Sequence, residues 1–148
     1  MRASCSDQLK PIAECQNLCY VDQMKIITSS NDMIATTKAW QSSGESVCLV
    51  PTMGNIHSGH LALIAKARKT ANRVVVSIYV NPTQFTANED FDTYPRTFEA
   101  DLESIAADGG CDAIYAPNNI YHTAHATDII PSGVALPMEG KCRPHFFR

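Results

Sequence analysis

Hydrophobic positions along this chain change period several times, and each change marks an expected element. Met24-Lys25-Ile26-Ile27 opens the patterned region as a short strand. Ser30-Asn31-Asp32 reads as a helix N-terminus, followed by Met33, Ile34, Thr37 and Trp40 at helical spacing, with Gly44 closing the helix. Val47-Cys48-Leu49-Val50 is wholly apolar, as expected of a strand buried on both faces. Pro51-Thr52-Met53-Gly54 is turn chemistry. The next helix runs to about Ala71, with Leu61, Ile64, Ala65 and Arg68 at intervals of three and four. Val74 to Val80 is a β-branched strand that Pro82 breaks. Thr97 to Ala107 carries the stripe Phe98, Leu102, Ile105 and Ala106, and Cys111 to Tyr115 is a further core strand ended by Pro117. Strand and helix alternate, which predicts a parallel α/β sheet. In such sheets ligands bind beyond the carboxyl ends of the strands, so the residues after Val50, Val80 and Tyr115 are expected to line one site.

The flanks differ. Residues 1–23 hold three cysteines and no sustained period, and are expected to be an extension of low order ahead of one domain over 24–148. The tail after Ile129 reads as loop with a short strand. Composition narrows the function classes. At 45% apolar and 18% charged residues the chain is ordinary for a globular domain. Its formal charge of -3 gives no electrostatic footprint for nucleic acid or an anionic membrane. An anionic ligand must then be held by local geometry. None of the six cysteines forms a C-x-x-C pair, and Cys48 and Cys111 sit in apolar runs as small hydrophobes. There is no secretory apolar region and no stretch near the ~20 residues that span a bilayer. A cytoplasmic location is expected.

Candidate chemistry follows the strand ends. After the Val47 strand comes Met53-Gly54-Asn55-Ile56-His57-Ser58-Gly59-His60. Gly54 permits a sharp turn, and Gly59 stands at a helix N-terminus, where free N–H groups attract phosphate. His57 and His60, three apart, face the same side of a helical turn and can aim donors at a phosphate. Surface histidines or part of a zinc site are the alternatives, although no third ligand stands at a familiar spacing. G-x-G-x-x-G is absent. At the end of the second core strand, Asn81 and Gln84 flank Pro82 and Thr83, and amides suit the hydroxyl and carboxylate groups of a small acid. A plain polar turn is the alternative. Arg96 and Asp101, opening the next helix, could serve an anion and a metal ion or be surface charges.

The segments PTMGNIHSGHL, SIYVNPTQF, YPRTFEADL, IYAP and MEGKCRP occur in this order at spacings that resemble the pantothenate synthetase family. The first is similar to that family's version of the HIGH signature of adenylate-forming nucleotidyltransferases. The resemblance covers about Met24 to Pro144 and implies a Rossmann-like parallel sheet with helices on both faces, incomplete before the family's C-terminal domain. It implies ATP-dependent condensation of pantoate with β-alanine through a pantoyl-adenylate, with AMP and pyrophosphate released. It further implies ATP bound by Met53 to His60, His57 and His60 on the phosphates, and His60 as proton donor. Gln84 would bind pantoate close to the β-alanine position with Asn81 in support. Mg²⁺ would accompany ATP, with Asp101 as a metal-associated acid, and a homodimer is implied.

The chain departs from the family at Arg143-Pro144-His145-Phe146-Phe147-Arg148, where the family reads approximately R-P-x-H-F-x-G-V. The lysine, aspartate, second glutamine and KMSKS-like loop that the family places further on have no counterpart before Arg148. The competing expectations are a non-catalytic remnant that folds and binds ligand without turnover, and a related nucleotidyltransferase. A metal-binding module resting on His57, His60, His122 and His125 is a more distant one.

Overall fold

The computed structural model describes residues 24–85, 91–121, 126–127, 129–137 and 139–143. The expected N-terminal extension, the His122/His125 pair and the divergent end after Arg143 lie outside these residues. Four strands, β1 (Lys25–Ile27), β2 (Val47–Thr52), β3 (Arg73–Ile78) and β4 (Ala113–Tyr115), form one sheet in the order β1-β4-β3-β2. Every pairing is parallel. Between them lie α1 (Ser30–Ser42), α2 (Ser58–Thr70) and α3 (Phe98–Ala107), with a short helix, α4 (Glu139–Cys142), in the tail.

Strand order explains which face each helix covers. The chain passes from β1 at one edge to β2 at the other, then steps back through β3 to β4. Right-handed crossovers in opposite directions place their helices on opposite faces. Accordingly Ile64 and Ala67 of α2 and Leu102, Ile105 and Ala106 of α3 pack on Val74, Val76 and Ile114. Met33 of α1 packs on Ile27, Val75 and Ala113 from the other side, with Trp40 against the same cluster. The alternation of Val74, Val75 and Val76 along β3 serves both layers, and burial of this kind supplies most of the driving force for folding. The expected Rossmann-like parallel sheet with helices on both faces is present.

Three details differ from the sequence pattern. The apolar run at Val47 is an edge strand rather than one buried on both faces, and Leu49 keeps 57% of its surface exposed. An edge position also tolerates Pro51 inside β2, because its missing N–H need not face a partner. Ile34 turns outward although it shares the helical stripe of Met33. The cap of α1 is Ser29, whose hydroxyl accepts from Asp32 N at 3.4 Å, one residue before the expected start.

The N-terminal edge of the sheet is tied by charge. Arg73 bridges Glu45 and Asp112 at 2.9 and 2.8 Å, and its hydrogen bonds to both carboxylates push its pKa above the usual arginine range. Asp112 in turn accepts from Val74 N at 2.8 Å. Arg68 donates to the carbonyls of Asp108 and Gly110, closing the C-terminus of α3. Cys111 beside this edge is a free thiol whose pKa burial pushes up to about 12, so it is inert.

Core and edge positions are expected to respond differently to truncation. Ile64→Ala, on the fully buried face of α2, should destabilise the domain by about 2–5 kcal/mol. Leu49→Ala at the exposed edge should cost less than about 1 kcal/mol. Urea unfolding of both variants checks this, and equal losses would show that Leu49 is buried in solution.

Candidate functional site

The C-terminal ends of β2, β3 and β4 open onto a crevice of about 310 Å³. Its walls include Met53 and Gly54 after β2, Tyr79 and Val80 after β3, and Pro117 and Asn118 after β4, with Arg96 and Asp101 from the start of α3. All three expected strand ends therefore converge. A larger cavity of about 530 Å³ lies at the opposite edge, among Arg68, Arg73 and Asp112. Its two arginines are already paired with acids or carbonyls, and parallel sheets bind ligands at the other end. The smaller crevice is the candidate site.

The segment leaving β2 is held from below by one carboxylate. Asp101 is 3% exposed, and it accepts from Ile56 N at 2.7 Å, Asn55 N at 3.1 Å and the Thr97 hydroxyl at 3.2 Å. Such charge-assisted bonds are roughly twice as strong as neutral ones. At Asp101, where the resemblance implies a metal-associated acid, both oxygens accept from the N–H groups of the loop. Gly54 at φ 82° and Asn55 at φ 52° make the turn. A side chain on Gly54 would start 3.0 Å from the Asp101 carboxylate, so only glycine combines that backbone with that approach. The Thr52 hydroxyl completes the anchor, donating to Ser77 O at 2.7 Å and accepting from Gly54 N at 3.2 Å.

The loop delivers two histidines to the start of α2. His57 is the N-cap, and its Nδ1 accepts from Gly59 N at 3.1 Å, while His60 Nδ1 accepts from His57 N at 3.4 Å. The rings lie 4.1 Å apart, tilted by 39°. A Cβ on residue 59 would stand 2.9 Å from the His57 ring, which accounts for Gly59. An Nδ1 that accepts a hydrogen bond carries no proton, so each neutral imidazole holds its proton on Nε2. Neither Nε2 has a partner among the described residues. The pair thus presents two Nε2–H donors at a helix N-terminus, an arrangement suited to phosphate oxygens.

The other expected residues sit elsewhere on the same edge. Asn81 caps a 3₁₀ turn over Pro82–Gln84, and its side chain accepts from Thr83 N at 3.2 Å. Gln84 donates its backbone N–H to Asn81 O, and its side chain is uncommitted among the described residues. Neither lines the crevice wall itself. Arg96 is tethered to the carbonyls of Phe91 and Asp92 and lies over the Phe91 ring at 5.3 Å. Sequence reasoning passed over Asn119 and Tyr121, which follow β4 and bond to this turn region. Their only signal was position, just past Pro117 at the end of a core strand. Among the described residues no group of three or more histidine, cysteine or acidic side chains is arranged to hold a metal ion, and no helix is long and apolar enough to cross a membrane.

Known proteins resemble this chain in sequence and architecture. The family model for pantoate-beta-alanine ligase matches residues 25–148. A pantothenate synthetase of Xanthomonas euvesicatoria pv. vesicatoria is 48% identical over 128 residues, covering 84% of this chain and 45% of the relative. One from Caulobacter vibrioides is 44% identical over 124 residues, covering 82% and 43%. Among solved structures, pantothenate synthetase from Thermus thermophilus superposes with a TM-score of 0.69 at 34% identity, over 84% of this chain and 44% of that one. Pantoate-beta-alanine ligase from Francisella tularensis, in complex with beta-gamma ATP and beta-alanine, gives 0.70 at 35% identity over 84% and 48%. The chain spans less than half the length of these relatives.

Two measurements test the site's construction. Asp101→Ala leaves the Asn55 and Ile56 N–H groups without their acceptor and should destabilise the domain by roughly 2–5 kcal/mol. Unchanged urea unfolding would show that the loop holds itself. For His60, burial disfavours the imidazolium, neighbouring His57 adds repulsion, and Asp101 partly offsets both, so its pKa lies below 6.5. The folded state then binds fewer protons than the unfolded chain. This contribution to stability is intact above pH 6.5 and is lost as pH falls through the folded midpoint. An NMR titration should place His60 below 6.5, and His57→Asn, which keeps a cap but removes the charge, should move it upward. A midpoint at or above 6.5 in the unsubstituted chain contradicts the assignment.

Proposed function

Because the chain belongs to the pantoate–β-alanine ligase family, we propose that it forms the nucleotide- and acid-binding part of an enzyme that condenses pantoate with β-alanine, driven by cleavage of ATP. The observation that carries this is the histidine pair, with both Nδ1 atoms committed to backbone N–H groups and both Nε2–H groups left for a ligand.

In the proposed reaction a carboxylate oxygen of pantoate attacks the α-phosphorus of ATP, and pyrophosphate leaves to give pantoyl-adenylate. The amine of β-alanine then attacks the acyl carbon, and AMP leaves. Negative charge builds on phosphate oxygens in the first step. Donors fixed in advance by the backbone stabilise that charge without reorganising, which lowers the barrier more than it tightens ground-state binding. His60, held neutral near pH 7 by burial, acts as a hydrogen-bond donor to the leaving phosphate, and His57 supports it. Met53 to His60 wrap the triphosphate, with Gly54 and Gly59 allowing close approach. Gln84 and Asn81 take the hydroxyl and carboxylate of pantoate. Asp101 acts through the loop it anchors. The donor set of the described residues fits Mg²⁺ arriving on the nucleotide as Mg·ATP rather than an ion held by a protein cluster. A homodimer and a cytoplasmic location belong to the same proposal.

Isotope-labelled protein titrated with Mg·ATP should show its largest amide shifts between Gly54 and His60. Titrated with pantoate, it should shift Asn81 to Gln84. Gln84→Ala should weaken pantoate by about tenfold or more and leave Mg·ATP within about twofold, because the amide serves only the acid. Shifts absent from Gly54–His60 would remove the histidine pair from nucleotide binding. Equal losses for both ligands would make Gln84 a structural part of its turn.

A further inference from the structure

Arg96 lines the crevice, yet the proposed reaction leaves it without a role. Its surroundings differ from those of the arginines at the opposite edge. Those meet carboxylates, Arg68 at Asp108 and Arg73 at Glu45 and Asp112. Arg96 meets none among the described residues. Its two terminal nitrogens donate to Asp92 O at 3.2 Å and Phe91 O at 3.3 Å, and its guanidinium carbon lies 5.3 Å from the centre of the Phe91 ring. That ring is braced edge-on by Phe85 at 5.3 Å, and Phe85 packs in the same way on Tyr94 at 5.5 Å. Carbonyl oxygens and a ring face orient a cation but leave its full charge in place. A guanidinium has five N–H donors, so three remain for a ligand. Arg96 is exposed, and Asp101, the acid of the same wall, accepts from the loop instead. Met53, Ile78, Val80, Phe98 and Pro117 make most of the remaining wall apolar.

We propose that Arg96 binds the carboxylate of β-alanine and so selects the amine substrate as an amino acid. The proposal rests on the ligase reading and adds a residue for its second substrate. A planar fork with unpaired donors suits a carboxylate held through both oxygens. Two carboxylates enter the proposed reaction, and their needs are opposite. That of pantoate is the nucleophile, and a bidentate arginine would hold back the electron pair it must give to phosphorus. That of β-alanine takes no part in bond making, because the amine at the other end of the molecule reacts. Its use to the protein is recognition. The phosphates have their own donors at the start of α2. A crevice of about 310 Å³ has ample room for so small an acid.

The test titrates the isotope-labelled chain with β-alanine, β-alaninamide, pantoate and Mg·ATP, and repeats this for Arg96→Gln and Arg96→Lys. β-Alanine should move the Arg96 Nε–H resonance and bind more tightly than β-alaninamide, which keeps the amine and lacks the negative charge. Arg96→Gln should weaken β-alanine by about 10–100-fold, the loss typical of a charge-assisted pair, and leave the amide, pantoate and Mg·ATP within about twofold. Arg96→Lys keeps the charge without the fork and should weaken β-alanine by about 3–10-fold. A β-alanine affinity that survives both substitutions overturns the proposal. So does a loss that falls on pantoate or Mg·ATP instead, which would give the arginine to that ligand. Failure of the unsubstituted chain to bind β-alanine overturns it as well, while the ligase reading is judged separately by the Mg·ATP shifts between Gly54 and His60. If thermal unfolding shows that Arg96→Gln does not fold, the lysine variant and the Nε–H resonance of the unsubstituted chain decide.

Discussion

The carboxylate of Asp101 stands below the loop that leaves β2, and the arrangement of the site depends on it. Three donors converge on it inside the protein, two of them consecutive backbone N–H groups of a turn with positive φ at Gly54 and Asn55. That turn has no secondary structure to satisfy its amides, and part-buried amides left unpaired are costly. The acid comes from α3, which reaches the same edge of the sheet because it follows β3 and precedes β4. Local turn and global topology are therefore one constraint. Without the crossover that brings the start of α3 to the loop after β2, the turn has no anchor.

Everything toward the ligand follows from where that anchored loop ends. It delivers His57 as the cap of α2, and the capping bonds use the nitrogen of each ring that would otherwise be free to turn. Capping by histidine is unusual chemistry for a helix start, where serine, threonine or aspartate would serve stability better. The weaker cap has a consequence that a hydroxyl could not give: a second nitrogen on the same ring, carrying a proton and fixed in direction. Stability and preorganised donors come from the same pair of rings. Burial of His60 and the repulsion from His57 keep the proton on Nε2 alone near neutral pH.

The opposite edge of the sheet shows the contrast. There Glu45, Arg73 and Asp112 neutralise one another, and Arg68 closes α3 on its own carbonyls. The arginines and acids there satisfy one another, however large the cavity between them. At the C-terminal edge Asp101 accepts from the loop and Asn81 Oδ1 from its own turn, while donors on His57, His60 and Asn81 are left over. The surplus is consistently one of donors. It suits oxygen-rich anions on a chain whose formal charge of -3 would not attract them.

Local pattern determined most of the architecture. Short apolar or β-branched runs located the four strands of the described residues, and three-to-four spacing located the three long helices, because each helix must bury one face. The turn residues after β2 and β3 were likewise legible, since they announce themselves at strand ends, but Asn81 and Gln84 do not line the crevice. Tertiary structure decided the rest. Val47 to Val50 has the composition of a central strand, but only strand order makes β2 an edge and leaves Leu49 exposed. Asp101 reads as either a metal-associated acid or a surface charge, and its burial under a loop 45 residues earlier in the chain is visible only in the fold. Tyr121 has no local signature, because what distinguishes it is a partner 40 residues away. Sequence records which faces a segment must bury; which side chains meet at the end of the sheet is settled only when the crossovers bring them there.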